Sequence, residues 1–481
     1  MNEIFVQLTG FLESALFFDI LFGLVDGTKV PFVVALLIFG GIYLTLKFNF
    51  INLKMFAHSY KIIMGKYRTK EDVGVIEPRQ SLTTALSATV GLGNIAGVAI
   101  AITIGGPGAT FWMIVAGFLG MTLKFTEVTL SLKYREFLPD GTIIGGGMGY
   151  LNNGLSEKGF PKVGKALATM FALFLIGGAI GGGNAFQVSQ ALGAVSNEIE
   201  FFKTYPWVFG VAVSVLTGFV IIGGVKRIAQ TTEKIVPLMI GVYMIASLFV
   251  LIVNIDKIPF ALKEIFIGAF MPTAVAGGMI GVIVQGFQRA VFSSEAGLGS
   301  APIAHSTAKV KYPIRQGMVA LYEPFIDTII VCTTTALVIV TTNVCDPASG
   351  FCALMEAKNG SGLTAEAFRT VIWWFPAVLS FSIFMFAFST LIGWSYYGEI
   401  AWAYLFGTKS IIAYKVIFLA FVVVATLVNT STMVDFSSVL FLAMAIPNVF
   451  GLLVMSTDVK NMLNDYLAKL KSGELDKEVI K

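Results

Sequence analysis

Apolar residues in this chain run in stretches of about twenty and do not alternate with polar ones, so the pattern describes buried helices and not half-exposed strands. The stretches 32–46, 208–224 and 416–428 contain no charged residue. Such blocks match the roughly 20 residues that a helix needs to cross about 30 Å of hydrocarbon. A segment in lipid has no water for its backbone and must be helical to satisfy it. The pattern predicts eleven spans, at about 30–46, 80–103, 107–133, 165–195, 206–224, 234–253, 274–305, 315–341, 371–404, 411–428 and 433–456. The fold class is all-α integral membrane.

Two of these spans are interrupted. The second, SLTTALSATVGLGNIAGVAIAITIGGPG (81–108), has Gly91, Gly93 and Gly97 at its middle. The seventh, GGMIGVIVQGFQRAVFSSEAGLGSAPIAH (277–305), is broken by a polar run from Ser293 to Ser300. Glycine at helix interfaces is common in membranes, but these clusters weaken the helix where it should be most regular. Each opens a block of five spans, 80–253 and 274–457, and five being odd, the blocks have opposite orientation. The expected organisation is therefore an N-terminal segment with one extra helix and a basic loop (1–79), a first repeat (80–253), a connection (254–273), an inverted second repeat (274–457) and a tail (458–481). A 5+5 inverted repeat whose halves each begin with a broken helix is the layout of leucine-transporter-type secondary transporters. Unwinding exposes carbonyls to a cation, and half-helix N-termini to a carboxylate.

Charge supports the same topology. Of 33 lysines and arginines, 25 fall in alternate connections and the tail, from Lys47–Arg79 through to Lys481, and six in the others. The positive-inside rule puts the N-terminus outside and the C-terminus inside the cytoplasmic membrane. Only 13% of residues are charged and 56% are hydrophobic, too little charge to cover a soluble surface of this size. The net charge of +4 is thus a topology signal and does not point to nucleic acid. The apolar stretch 4–23 carries Glu13 and Asp19 and lacks a basic start and a cleavage site, so an interfacial helix is expected in place of a cleaved signal. Cys332 lies in a span as a packing residue. Cys345 and Cys352, close together in an outward loop, are candidates for a disulfide. His58 and His305 are too few for a histidine-based metal site, and no HExxH or paired-aspartate motif occurs, so no enzyme is expected. A channel would show symmetric charged or carbonyl rings in place of an inverted repeat.

The blocks GLGNIAGVAIAITIGGPGATFWM (91–113), KFTEVTLSLKYRE (124–136), GGGNAFQ (181–187), FSSEAGLGSAPIAH (292–305) and FAFSTLIGWSYYGE (386–399) make the chain similar to the alanine or glycine:cation symporter family. They occur in the family's order and span nearly the whole sequence. Ser294, Leu92 and GGGMGY (145–150) stand where the family usually has FSNEAG, GTGN and GGPMYY. The resemblance implies the leucine-transporter-type fold with one extra N-terminal helix. It also implies uptake of alanine and glycine with sodium, or in some members protons, and no other cofactor. The partners are then a small neutral amino acid, sodium and the bilayer.

On this reading Gly93 and Asn94 at the first break contact the ligand. Gln187, an amide in mid-membrane that needs a partner, points to the substrate, and Asn184 bridges helices. Thr390 and Trp394, four apart on one face, line the pocket with the indole capping it, and Phe292 is an aromatic lid. Ser87 and Val90 lend carbonyls, and Ser389 and Thr390 hydroxyls, to sodium, a hard cation suited to oxygen. Six acids lie in or at the ends of spans, Glu127, Glu295, Glu323, Asp327, Glu399 and Asp435. Each costs about 2.5–3.5 kcal/mol at a helix centre unless paired, protonated or near water. Lys124 is expected to neutralise Glu127, three residues on. Arg289 and Glu295 flank the second break as a gate or a structural pair.

Overall fold

The computed structural model describes residues 2–23, 29–139, 141–271, 277–345 and 349–479. The expected start of the seventh span at 274, the middle of the loop between Cys345 and Cys352, and Lys481 lie outside the described residues. Nearly everything described is helix; the one sheet is a two-stranded antiparallel ribbon that sets Glu136 opposite Ile144. Among the described residues seven helices are long and apolar enough to cross a membrane, and an eighth span is the bent pair Pro78–Thr89 and Gly93–Gly105. Phe32–Lys47 and Pro206–Ile221 are shorter apolar helices. The burial pattern inverts that of a soluble protein. Phe219, Leu238, Ile245 and Ile252 lie exposed along their helices, while Lys124, Glu127, Glu323, Asp327 and Asn448 are fully buried. An outer surface this apolar needs lipid against it.

The first broken segment starts where a reciprocal cap forms between Glu77 and Gln80, with Pro78 in the first turn, an arrangement that satisfies two orphan donors. The helix ends at Thr89, and Val90 (φ −75°, ψ 85°) leaves helical geometry. The chain then passes through a π-helical turn, Gly93–Gly97, into Val98–Gly105, and the two halves meet at 53°. In the second segment the helix Gly278–Ser294 stops at Glu295, whose φ is 56°. Gly297 and Gly299 also have positive φ, and a short helix, Pro302–His305, follows. A left-handed conformation at a non-glycine residue costs about 1–3 kcal/mol and persists only where its surroundings enforce it. The breaks meet each other: a Cβ on Gly93 would lie 3.0 Å from Ser293 Cα, so a side chain there would push the two breaks apart by a few tenths of an ångström.

The N-terminal stretch forms the helix Asn2–Leu16. It packs against Thr430–Ala443 through Phe5 and Phe436, ring centroids 5.0 Å apart.

Candidate functional site

Three segments of irregular helix converge where the breaks meet. Besides Gly93–Gly97, there are π-helical turns at Gly181–Ala185, in the middle of the fourth span, and at Phe325–Cys332 in the eighth. Such turns redirect side chains and free carbonyls, and they recur at functional sites.

Gln187 reaches the first break: its Oε1 accepts from Leu92 N at 3.0 Å while its Nε2 donates to Gly182 O at 3.1 Å. Thr390 arrives from Phe375–Phe406 on the same spot. A Cβ on Gly91 would lie 2.3 Å from Thr390 Oγ1 and 3.2 Å from Gln187 Oε1, so Gly91 is the residue that lets these two oxygens close on the backbone. Ser389 and Thr390 both donate to Ser87 O at 3.3 Å. Ser87, Ser389 and Thr390 are thus brought together, with Val90 at the end of the same helix. Asn184 donates to Phe418 O at 2.7 Å and joins two helices.

Asn94 joins Gly91, on which Gln187 and Thr390 close, to the eighth span. Its Oδ1 accepts from Gly91 N at 2.9 Å, and its Nδ2 donates to Asp327 Oδ1 at 2.6 Å. Ser293, from the second break, donates to Asp327 Oδ2 at 2.8 Å, as does Thr328. Asp327 therefore ties the two breaks together. Its sequence signal was an acid in an apolar span, but nothing in the sequence tied it to Asn94 and Ser293. Cys332, expected only to pack, lies 3.4 Å from Asn94 Nδ2 and 3.2 Å from Ser293 Oγ.

Trp394 is fully buried, its indole N–H donating to Glu295 Oε1 at 2.7 Å. The other carboxylate oxygen accepts from Ser300 at 2.5 Å. These bonds hold Glu295 in its left-handed conformation. Trp394 and Phe292 both pack on Phe441, with centroids at 4.5 and 4.6 Å, and Phe292 also meets Phe186 at 4.7 Å. Phe292 and Trp394 thus belong to one aromatic cluster above the breaks.

Three expected pairings are not formed. Lys124 does not pair with Glu127; it lies 3.1 Å from Glu323, both fully buried, and Glu323 also hydrogen-bonds His305. Glu127 is instead occupied by Asn448 Nδ2 at 2.6 Å and Gly299 N at 3.2 Å, so it caps the backbone freed by the second break. Arg289 does not pair with Glu295, whose oxygens are taken by Trp394 and Ser300. Cys345 and Cys352 are not bridged; the Cys345 sulfur accepts from Thr103 at 3.6 Å.

The basic loops are fastened to the second segment outside the spans. Arg135 donates to Ser306 O, Ala308 O and Val73 O at 2.6–2.8 Å.

Comparison with known proteins agrees with this geometry. The family model described as the sodium:alanine symporter family matches residues 17–480. The sodium/alanine symporter AgcS of Methanococcus maripaludis is 40% identical over 89% of this chain and 92% of its own length. The amino-acid carrier protein AlsT of Bacillus subtilis is 33% identical over 90% and 89%. Among solved structures, MhsT in complex with L-phenylalanine superposes with a TM-score of 0.52 over 79% of this chain and 88% of that one. At 15% identity this shows the fold alone, an all-α leucine-transporter-type membrane fold. The chain belongs to the sodium:alanine symporter family, a family of multi-pass membrane transporters and not of enzymes.

Proposed function

We propose that this sodium-coupled amino-acid transporter imports alanine and glycine by alternating access. Substrate sits at Gly93, Asn94, Gln187 and Thr390, and sodium at the carbonyls of Ser87 and Val90 with the hydroxyls of Ser389 and Thr390. The observation that carries this reading is the meeting of two unwound segments deep in the fold, where Gln187, Ser389 and Thr390 already hold their backbone groups. A substrate carboxylate can replace Gln187 Oε1 at Leu92 N, and a cation can replace the hydroxyl protons at Ser87 O. Gln187, Thr390 and Trp394 are at most 3% exposed, so substrate can exchange only if the segments move relative to their neighbours. Adding the two shorter apolar helices and the Gly278–His305 segment to the eight spans gives eleven, arranged as one helix plus 5+5, with the N-terminus outside the cytoplasmic membrane.

One sodium crossing about 100 mV releases about 2.3 kcal/mol, and a tenfold gradient adds about 1.4. Together they sustain accumulation of a neutral substrate by several hundredfold. Trp394 and Phe292 set size selection, since a missing or extra methylene is worth about 1–3 kcal/mol. The test is a competition panel of amino acids in proteoliposomes, with and without sodium. Alanine and glycine should compete and leucine should not, and Trp394→Ala should admit larger side chains. Uptake unchanged without sodium overturns sodium coupling and leaves protons; a Trp394→Ala profile identical to the parent's removes Trp394 from the pocket.

A further inference from the structure

The helix Phe32–Lys47 ends at a lysine whose ammonium is held by hydroxyls alone. Lys47 Nζ donates to Tyr43 Oη at 3.0 Å, and to Ser456 Oγ at 2.7 Å and Thr457 Oγ1 at 3.0 Å on the helix Ala445–Lys471. Beside it a cleft of about 300 Å3 opens between the turn 47–55 and residues 460–467 of that helix. Every charged side chain lining the cleft is a lysine: Lys47, Lys54 and Lys460. Asn49 and Asn464 are its uncharged polar groups, and the rest of the lining is apolar. Lys54 and Lys460 make no hydrogen bond or ion pair among the described residues. The acids of the neighbouring helix are engaged elsewhere, Asp458 with Lys158 at 2.9 Å and Asp465 with Lys469 at 3.1 Å. The cleft thus gathers positive charge that nothing lining it neutralises.

The surface around these lysines is apolar. Leu46, Phe50 and Leu53 are 60, 39 and 62% exposed. Phe39, Ile42, Tyr43 and Leu46 are exposed too, and lie three or four apart along one face of Phe32–Lys47 that leads away from the cleft. Lysines interleaved with exposed apolar side chains belong at the membrane interface, with their stems in the acyl region and their ammonium groups among the headgroups. A ligand for this cleft therefore needs negative charge at the height of the lysines and apolar chains beside it. A soluble anion has the first and lacks the second. A phospholipid with a net negative headgroup has both, and basic pockets between helices on the cytoplasmic side bind such headgroups. The topology proposed above puts the cleft on that side.

We propose that this cleft is a binding site for one acidic phospholipid. Its phosphate lies among Lys47, Lys54 and Lys460, the amides of Asn49 and Asn464 donate to headgroup oxygens, and an acyl chain runs along Leu46 and Phe39. The lipid reinforces the bond that Lys47 already makes between the first span and the last. The first span in turn leans on the second break, since a Cβ on Gly297 would lie 2.3 Å from Leu37 Cδ2. A ligand that binds only the folded chain raises its stability. The bound lipid therefore braces the helix that covers the break, whichever amino acid is carried.

The test uses the full chain purified in mixed micelles. Titrating phosphatidylglycerol into micelles of detergent and phosphatidylcholine should raise the midpoint of thermal unfolding to a plateau. Native mass spectrometry of the parent should show one phosphatidylglycerol retained in preference to phosphatidylcholine. Lys54→Gln/Lys460→Gln should raise the lipid concentration at half effect about 25-fold, about fivefold for each lysine. Lys54→Arg/Lys460→Arg keeps the charge and should titrate as the parent does. Lys162→Gln/Lys165→Gln removes the same charge from an exposed pair at the start of Pro161–Ile180 and should leave the titration unchanged. A parental titration in Lys54→Gln/Lys460→Gln, or equal weakening in Lys162→Gln/Lys165→Gln, overturns the site. So does a parent that retains both lipids alike, a result that needs no variant to fold. Inorganic phosphate that reproduces the rise in midpoint would make the cleft a site for a free anion and overturn the lipid.

Discussion

Trp394→Phe probes the junction of the second break with the Phe375–Phe406 helix. The substitution keeps an aromatic ring beside Phe441 and Tyr397, whose centroids lie 4.5 and 5.3 Å from that of Trp394. It removes the indole N–H that donates to Glu295 Oε1 at 2.7 Å. A hydrogen bond to a charged group contributes about 1.5–3 kcal/mol, and an acceptor left unsatisfied in a buried site costs about 1–3. Glu295 then keeps only Ser300 to hold a backbone conformation that itself costs about 1–3 kcal/mol. We expect a loss of about 2–3 kcal/mol, read as a lower midpoint of thermal unfolding in detergent. The smaller ring also opens space beside the site, so valine and leucine should begin to compete with alanine for uptake. Adding Glu295→Gln gives a double-mutant cycle. Because the two residues touch, the coupling should be about 0.5–3 kcal/mol. Additive effects, or a Trp394→Phe variant with parental stability and parental competition, would refute the reasoning that Trp394 holds the break through Glu295.

Lys124→Met should lower stability by about 3–5 kcal/mol because Glu323 is left buried without its cation, while Lys124→Met/Glu323→Gln should recover part of that loss; unfolding midpoints of the two variants decide it. Gln187→Ala, which removes the side-chain amide that is proposed to contact the substrate, should weaken alanine binding about 10–100-fold, the range of one lost buried hydrogen bond, with membrane insertion intact; equilibrium binding and membrane-fraction yield separate the two effects. His58, beside Tyr466 in a basic loop, is pushed down to about 4 by burial, then by Lys61 and Arg315. Its unfolded value is about 6.5, so the unfolded chain takes the proton first. The stability it contributes is complete above pH 6.5 and is lost as pH falls to about 4. The full shift is about 3 kcal/mol, reduced to about 1–2 by partial exposure; His58→Gln should flatten unfolding midpoints across that window.

Both breaks were legible in the sequence because they violate local rules. Glycines at 91, 93 and 97 and the polar run at 293–300 stand in membrane-length apolar segments, and no helix propensity accounts for them. The convergence of Ser87 with Ser389 and Thr390, and of Gln187 with the first break, followed from family motifs placed on an inverted repeat. Partner choice was not legible. Lys124 and Glu127 are three apart on one helix, and local spacing makes them neighbours. In the fold Glu127 turns to Asn448 and Gly299 N, and Lys124 to Glu323 from another span. Spacing along a helix says which side chains share a face and leaves open what lies opposite that face. Asp327 is the same case, a visible acid whose partners come from two other spans. Cys345 and Cys352 show the limit of proximity in sequence, since a loop can hold two thiols apart as readily as together.

The two breaks differ in what satisfies them, and that difference bears on the transport cycle. At the first, the backbone groups are satisfied by neutral side chains, Gln187 Oε1 on Leu92 N, Asn94 Oδ1 on Gly91 N and two hydroxyls on Ser87 O, and a carboxylate, Asp327, is reached only through the Asn94 side chain. The second is held by carboxylates, Glu127 on Gly299 N and Glu295 through Trp394 and Ser300. Neutral hydrogen bonds contribute about 0.5–1.5 kcal/mol each and charge-assisted ones about twice that. A ligand of modest affinity can replace the first set at little net cost, whereas replacing the second would consume most of its binding energy. Exchange of protein bonds for substrate and sodium bonds should therefore concentrate at the first break, while the second moves with its partners as a unit. Hydrogen–deuterium exchange with and without alanine and sodium reads this directly. Residues 90–97 should gain protection with ligand and 295–300 should change little; the reverse pattern would place the exchange of bonds at the charged break.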